Sequence, residues 1–124
     1  MDEIIAVVGN CAAGKTTLVK NLNDLGYNAR NVPQEHSEVR RLWKYKRPTV
    51  LVMLTCTFET ACKRRPSFAW SEKQLQIQQQ RLKFAREECD LLIITDPLSI
   101  DEVTQTVVDF LEKRSRANEQ TNHS

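Results

Sequence analysis

The stretch Gly9-Asn10-Cys11-Ala12-Ala13-Gly14-Lys15-Thr16-Thr17, called the glycine loop below, decides the fold, because it fits the pattern G-x-x-x-x-G-K-[ST] without a mismatch. An apolar run rich in β-branched residues, 4–8, precedes it and predicts a strand buried on both faces of a parallel sheet. After it, apolar residues at helical spacing predict a helix over 16–25 that ends before Gly26. The sequence therefore predicts strand, glycine loop and helix in succession.

The chemistry of phosphate binding explains this spacing. Successive backbone N–H groups at a helix N-terminus hold a phosphate chain, and the helix dipole adds positive potential there. Gly9 and Gly14 can take backbone conformations denied to other residues, and the two alanines between them add only a methyl group each. We expect Lys15 to reach the β- and γ-phosphates and the Thr16 hydroxyl to ligate Mg²⁺.

Strand and helix patterns alternate along the rest of the chain. Capping residues Ser37, Thr57, Ser71 and Ser99 mark the helix starts. Strands are predicted at 28–32, 49–54 and 91–95, and helices at 38–44, 57–64, 71–89 and 99–111. This alternation predicts an α/β fold, a three-layer sandwich with a short parallel sheet of about four strands and the glycine loop between strand 1 and helix 1.

Length and composition limit the number of domains and the kinds of segment that the chain can contain. With 124 residues and 40% hydrophobic content, we predict one nucleotide-binding domain at 1–112 and a disordered polar tail at 113–124. No apolar run approaches the roughly 20 residues that span a bilayer, and the acidic start Met1-Asp2-Glu3 is unlike a signal peptide. We therefore expect a cytoplasmic protein without a membrane partner.

The four cysteines form no C-x-x-C pair, and each adjoins an apolar segment or the glycine loop. This spacing argues against zinc ligation and disulfides and favours small core-filling thiols, with Cys11 open to oxidation because it lies in the loop.

Residues 40–47, R-R-L-W-K-Y-K-R, hold five cations interleaved with Trp43 and Tyr45. A nucleic-acid surface would combine phosphate contacts with base stacking on those rings. The alternative, which we favour, is a solvated cationic helix face with Trp43 packed inward, or a face for a small phosphorylated ligand. The net charge of +2 is too small to indicate nucleic acid by itself.

Other motifs narrow the class of protein. The guanine-reading N-K-x-D, the switch motif D-x-x-G and the ABC signature L-S-G-G-Q are all missing from the sequence. What remains resembles the P-loop kinase group, which includes shikimate, adenylylsulfate and nucleotide kinases. The resemblance covers residues 4–111 and rests on the P-loop itself at 9–17, on Lys63-Arg64-Arg65, on Arg81-Leu82-x-x-Ala85-Arg86, and on the strand 90–96 before a Ser99-capped helix. A narrower likeness, to small P-loop ATP-binding proteins, rests on Gln34-Glu35-His36-Ser37 and Arg47-Pro48.

The resemblance implies ATP and Mg²⁺ as cofactors. By it, residues 9–17 bind the phosphates, Thr16 binds Mg²⁺, and Arg64 and Arg65 belong to a lid around 64–70 that closes on the transferring phosphoryl group. Asp96 and Pro97, with Leu98, would lie beside the adenine.

The chain departs from the group in its acidic residues. Kinases of this group usually have an additional strand that ends in the Walker B aspartate. Here only about 15 residues separate the second strand from Thr49, so we expect that additional strand to be missing. Thr55 also stands where these kinases often carry Asp. Glu35 follows the second strand and is the better substitute, as a metal ligand and catalytic residue, while Asp96 is the alternative.

Two functions follow from these observations. The first is a phosphotransferase or ATPase acting on an unidentified small-molecule acceptor, with Lys15 stabilising charge, Thr16 and Glu35 holding the metal, and the two arginines acting from the lid. The second is a non-catalytic module that senses ATP or ADP and acts through a protein partner, favoured by the missing acceptor subdomain. A nucleic-acid-dependent NTPase rests on residues 40–47 alone. The sequence identifies neither an acceptor nor an oligomeric state.

Overall fold

A computed structural model describes residues 3–67 and 71–122 of the chain. Its strands are β1 (Ile4–Gly9), β2 (Asn28–Asn31), β3 (Val50–Thr55) and β4 (Leu91–Ile94). Its α-helices are α1 (Lys15–Asp24), α2 (Phe58–Arg64), α3 (Glu72–Arg81), α4 (Lys83–Glu88) and α5 (Ile100–Asn122), and short 3-10 helices cover Gln34–His36 and Leu42–Lys46. The α/β class and the four strands are therefore as predicted.

All strand pairs in the sheet are parallel, and the strand order is β2-β1-β3-β4. Ile5 lies opposite Ala29 on one side and Val50 on the other, which makes β1 a central strand. Since parallel strands release the chain at the same sheet edge, the residues after β1, β2, β3 and β4 all emerge together. That edge holds the glycine loop.

Helices cover both faces of the sheet, as a sandwich of three layers requires. On one face, Leu18 and Leu22 of α1 and Val107 of α5 pack with the buried side chains Val7 and Val52. On the other face, a second core forms from β1, β3, α4 and the residues around Trp43; it contains Ala6, Val8, Val32, Trp43, Leu51, Met53, Leu82 and Ala85. Alternate residues of each central strand enter opposite cores, which explains why those strands are apolar throughout.

Three of the four capping predictions at helix starts are confirmed, whereas Ser37 follows the 3-10 helix Gln34–His36 and begins no helix. The hydroxyls of Thr57 and Ser71 accept hydrogen bonds from the backbone N–H groups of Thr60 and Gln74. At α5, the Ser99 hydroxyl accepts from the Glu102 N–H, and the Glu102 carboxylate accepts from the Ser99 N–H. This reciprocal pair is a capping box, and it explains why α5 begins at Ile100.

Two helix predictions are wrong in detail, and the buried amide of Gln34 explains both. It donates to the carbonyls of Val39 and Arg81 and accepts from the Leu42 N–H, so it engages backbone groups that a helix over 38–44 would use. In place of that helix, the chain forms only the 3-10 helix Leu42–Lys46. The Arg81 carbonyl accepts one of these bonds from Gln34. The next residue is Leu82, and there the predicted helix 71–89 divides into α3 and α4.

The predicted disordered tail is helical through residues 113–122, as a continuation of α5. Arg114 fixes this part of the helix to the sheet, because its Nε donates to both carboxylate oxygens of Glu3 at 3.0 and 3.2 Å, and its Nη2 donates to the Thr49 carbonyl. Arg116 also pairs with Glu112 one turn earlier. Polar composition alone therefore predicted the wrong state for this stretch. Within residues 3–67 and 71–122, no helix has the length and hydropathy needed to cross a membrane.

Candidate functional site

The glycine loop joins the end of β1 to the start of α1 through a close approach to β3. A Cβ on Gly9 would lie 2.2 Å from the carbonyl oxygen of Leu54, so only glycine fits at the end of β1. Gly14 caps α1 in the left-handed conformation and supplies no side-chain hydrogen bond to the helix. The first N–H groups of a helix have no partner within it, so these donors face the space in front of the loop.

Asn10 connects the loop to Cys56, the residue that follows β3. This fully buried side chain accepts from the Cys56 N–H at 3.0 Å and donates to the Cys11 carbonyl at 3.0 Å. Its amide also donates to the Cys56 sulfur at 3.3 Å, while burial raises the pKa of that thiol. These bonds join the start of the loop to the residues that follow β3.

Lys15 lies buried beneath the loop, although it carries a charge. Its Nζ donates to the carbonyls of Gly9 at 2.8 Å and Asn10 at 3.4 Å, and it forms an ion pair with the carboxylate of Glu35. These acceptors compensate for the ammonium group's loss of water. They also hold the Lys15 charge at the centre of the loop.

Glu35 reaches this position from the neighbouring strand. Because β2 is parallel to β1 and adjacent to it, the 3-10 helix after β2 lies beside the glycine loop, as the sequence analysis predicts for this residue. The Glu35 side chain is only 4% exposed. Its Oε2 binds Lys15, while its Oε1 is buried without a hydrogen-bond partner. One carboxylate oxygen is therefore available to an added ligand.

Thr16 is exposed at the start of α1, and its hydroxyl accepts a hydrogen bond from Asn31 at 3.2 Å. It shares a cavity of about 300 Å³, called the loop cavity, with Lys15, Glu35 and His36. The structure thus brings together the two residues predicted as metal ligands, and it adds Asn31 and His36 beside them.

Arg64, at the end of α2, forms the other side of the loop. Its guanidinium donates to the Ala12 carbonyl at 2.9 Å and to the Thr95 hydroxyl and carbonyl at 3.0 and 2.7 Å. Arg65 lines the loop cavity and also a second cavity. The predicted lid around 64–70 falls partly outside the described residues, since Phe68, Ala69 and Trp70 are not among them.

The second cavity, called the apolar cavity, has a volume of about 540 Å³. Apolar side chains of α1, α5 and the segment before α5 form much of its wall, and the two arginines and Thr95 add polar groups. Its lining is Ala12, Ala13, Gly14, Thr17, Leu18, Arg64, Arg65, Thr95, Leu98, Ser99, Ile100 and Val103. Because Ala12, Gly14, Thr17 and Arg65 line both cavities, the two adjoin along the glycine loop.

Comparison with known proteins gives no family for this chain. No protein-family model matches it, and no curated protein matches it either. The function therefore has to be argued from the site itself.

Asp96 and Pro97 are not part of either cavity lining, although both were predicted to lie beside the nucleotide. The Asp96 carboxylate instead accepts from the N–H and hydroxyl of Thr57 and from the Thr60 hydroxyl, at the start of α2. Desolvation by burial opposes its charge, yet the hydrogen bonds from Thr60 and Thr57 prevail and lower the pKa of Asp96 to about 2. Its neighbours Thr95 and Leu98 line the apolar cavity in its place.

Gln78 is a site residue that sequence reasoning missed. Its Oε1 accepts from the Cys11 N–H at 2.9 Å, and its Nε2 donates to the Cys11 sulfur at 3.3 Å. The sequence signal was present, because Gln78 occupies an apolar position in the periodic pattern of α3 and is buried there. A polar residue on a buried helix face needs a partner, and the partner here is the loop.

The basic stretch 40–47 is mostly exposed, and Trp43 and Arg41 join it to the rest of the protein. Trp43 is buried in the second core, as the inward-packing interpretation predicts. The Arg41 guanidinium lies 4.6 Å from the ring centroid of Phe84 and donates to Glu88 at 2.6 Å. Tyr45 is 77% exposed.

Proposed function

We propose that this protein is a P-loop protein of the kinase-like group that binds Mg-ATP at the glycine loop and acts as a phosphotransferase or ATPase. The observation that carries the proposal is the pair of adjoining cavities, one apolar and one polar, that share the loop as a common wall. A nucleotide has the same division, with a flat apolar base at one end and a charged phosphate chain at the other.

The loop cavity suits the phosphate chain. The uncapped N-terminus of α1 offers backbone N–H groups, and the Lys15 ammonium, which is ion-paired with Glu35, lies at the same place. Such preorganised donors stabilise the charge that develops during phosphoryl transfer without reorganising solvent. Lys15 therefore takes the role of the charge-stabilising residue.

The donor set also fits a magnesium ion. Mg²⁺ prefers oxygen ligands, and Thr16 supplies a hydroxyl while Glu35 supplies a carboxylate with one buried, unpartnered oxygen. When bound, the ion would neutralise phosphate charge. In this proposal Glu35 replaces the Walker B aspartate. We do not assign Asp96 to the metal, because its carboxylate caps the start of α2.

The apolar cavity suits the base. Leu18, Leu98 and Val103 offer aliphatic surface, and Arg64 lies at its edge with a guanidinium already fixed on Ala12 and Thr95. Arg64 and Arg65 are placed to contact a nucleotide from the side of α2. We assign the acceptor to a small molecule of unidentified class.

A second candidate is a module that senses ATP or ADP without turnover. It is favoured by the direct bonds from the loop to α2 and α3, through Arg64 on Ala12 and Gln78 on Cys11. An occupant that displaces the loop would alter both helices, which is what a signal to a protein partner requires.

The test separates binding from turnover. Wild-type protein should be stabilised against heat by MgATP, by about 2.7 kcal/mol when ATP stands at about 100 times its dissociation constant. Lys15→Met should lose this stabilisation, while Lys20→Met, a matched change at an exposed lysine of the same helix, should keep it. Wild-type protein without heat of binding or thermal shift in millimolar MgATP would refute the proposal.

Phosphorus NMR of ATP with the protein, alone and with a pool of metabolites, then distinguishes the two candidates. Formation of ADP or a new phosphate ester supports the enzyme, whereas binding with unchanged ATP supports the sensing module.

A further inference from the structure

Three side chains that commonly ligate transition metals meet beside the glycine loop. Cys11 in the loop, Glu35 and His36 each bring one ligand atom, and these atoms all lie within 4.8 Å of one another. The Cys11 sulfur is 3.5 Å from His36 Nε2, which is 3.9 Å from Glu35 Oε2. Among the described residues this group, called the Cys11 cluster, brings a thiol, an imidazole and a carboxylate together.

One of the ligand-atom separations matches a tetrahedral ion and a second is close to it. Zinc bonds of about 2.3 Å to sulfur and about 2.0 Å to nitrogen place the two ligand atoms roughly 3.5 Å apart, which is the separation found between Cys11 and His36. The separation between His36 Nε2 and Glu35 Oε2, the oxygen that pairs with Lys15, is longer by roughly 0.5 Å than such an ion needs. The His36 side chain is 59% exposed, so it has room to move by that amount.

The unpartnered oxygen of Glu35 points independently to a ligand. Burial of a carboxylate oxygen without a donor is costly, and an ion bound there would remove that cost. Oε2 is the oxygen that lies 3.9 Å from His36 Nε2 and pairs with Lys15, so an ion that binds Oε1 requires His36 to move toward that oxygen. The charges also balance, because a thiolate and a carboxylate together neutralise a divalent ion and leave the Lys15 charge in place.

Gln78 holds the thiol in position. By accepting from the Cys11 N–H and donating to the Cys11 sulfur, its amide fixes both the backbone and the side chain of that residue. Second-shell donors of this kind orient metal ligands and tune their affinity. The cluster is therefore built around the sulfur rather than formed by chance at the surface.

We propose that Cys11, Glu35 and His36 bind a zinc-class divalent ion, with a fourth position open to water or an anionic ligand in the loop cavity. Thiolate and imidazole ligands bind zinc-class ions in preference to magnesium. This site therefore takes a different class of metal from the proposed Mg²⁺ site, although both use Glu35. Sharing that carboxylate makes zinc and Mg-ATP compete, a consequence that rests on the proposed function.

Cobalt(II) is the probe, because thiolate ligation and tetrahedral geometry both give it a characteristic spectrum. Reduced protein without nucleotide should bind cobalt with a thiolate-to-cobalt charge-transfer band and strong visible bands, and zinc should displace it. Cys11→Ser should remove the charge-transfer band, and His36→Gln should weaken cobalt binding by about tenfold or more. Cys62→Ser, a half-buried thiol outside the cluster, is the matched control and should behave as wild type.

A charge-transfer band that persists in Cys11→Ser, or equal affinity in His36→Gln, would overturn the proposal. If Cys11→Ser fails to fold, His36→Gln decides, because its exposed side chain contributes little to the core. Lys15→Met separates this inference from the proposed function, since it should lose ATP and keep cobalt. Cobalt binding without ATP binding in the wild type would refute the function alone, and the reverse would refute the metal site alone.

Discussion

The ammonium group of Lys15 binds the buried carboxylate of Glu35 while it also donates to the Gly9 carbonyl at 2.8 Å. The two residues lie in the segments that follow two neighbouring strands, β1 and β2, and both are buried, so each compensates for the other's loss of water. Removing one partner leaves an uncompensated buried charge, whereas removing both does not.

This relationship predicts a strong coupling in a double-mutant cycle. Lys15→Met should lower the free energy of unfolding by about 3 kcal/mol, and adding Glu35→Gln should recover part of that loss. Chemical denaturation of the two single variants and the double variant measures the coupling. The same cycle on Lys20 and Asp24, an exposed pair, should show no measurable coupling. Strictly additive effects at Lys15 and Glu35 would argue against the ion pair.

The proposed metal ligands predict different effects for the two candidate acids. Glu35→Gln should raise the Mg²⁺ concentration needed for ATP binding by roughly tenfold or more, because it removes a charged ligand. Asp96→Asn should leave that requirement unchanged, since Asp96 binds the start of α2. Titration of Mg²⁺ against bound ATP measures both. If only Asp96→Asn raises the requirement, our assignment of the acid is wrong.

The apolar cavity predicts preference for ATP over GTP. No guanine-reading acid follows a strand in the sequence, and the base would be held mainly by aliphatic contact. Such contact discriminates modestly, so we expect ATP to bind about tenfold more tightly than GTP. Calorimetry with both nucleotides at equal Mg²⁺ decides the question, and equal or tighter binding of GTP would contradict the prediction.

The lowered pKa of Asp96 predicts a specific pH dependence of stability. Because the folded-state pKa of about 2 lies below the ordinary value of 3.8, the stabilisation is complete above pH 4 to 5 and is lost as the pH falls toward 2. At pH 7, Asp96→Asn should cost about 1 kcal/mol, after allowance for screening by solvent. At pH 3 about half of that difference should remain. A difference that is the same at pH 7 and pH 3 would exclude the charged carboxylate as its source.

Gly9 and Gly26 form a matched pair for testing the close approach of the loop to β3. A Cβ at Gly9 meets the Leu54 carbonyl, so Gly9→Ala must separate two central strands and should cost about 3 kcal/mol. Gly26 has a positive φ of 95° and open space around it, so Gly26→Ala should cost only about 1 kcal/mol. Thermal unfolding of both variants measures the difference, and equal costs would mean that the approach at Gly9 can relax.

The sequence predicted the strands and the position of Glu35 because both follow from local sequence patterns. Apolar runs identify buried strands, and parallel strands release their following residues at one edge, so Glu35 could be placed beside Gly9 from local pattern alone. The disordered tail was predicted wrongly, because the contacts of Arg114 with Glu3 and Thr49 join distant parts of the chain.

Other parts of the site depend on similar distant contacts. The resemblance assigned Asp96 to the nucleotide, and its observed partners, Thr57 and Thr60, lie 39 and 36 residues away in the sequence, where no local pattern predicts them. Cys11 and His36, 25 residues apart, carry no shared motif, so their proximity could only be found in the structure. The zinc-class proposal therefore reverses the sequence argument, which weighed cysteine spacing and found no ligand pair.

Arg64 binds the Ala12 carbonyl, and Gln78 binds the N–H of the preceding residue, Cys11. These two side chains belong to α2 and α3, so the helices on both sides of the connection over residues 65–71 are bonded to the backbone of one short loop. Binding at the two places is then thermodynamically coupled. A ligand that shifts the glycine loop changes the affinity of a protein that binds the connection, and that protein changes the dissociation constant of the ligand by the same factor. Control of this site from outside therefore needs no contact with the site itself.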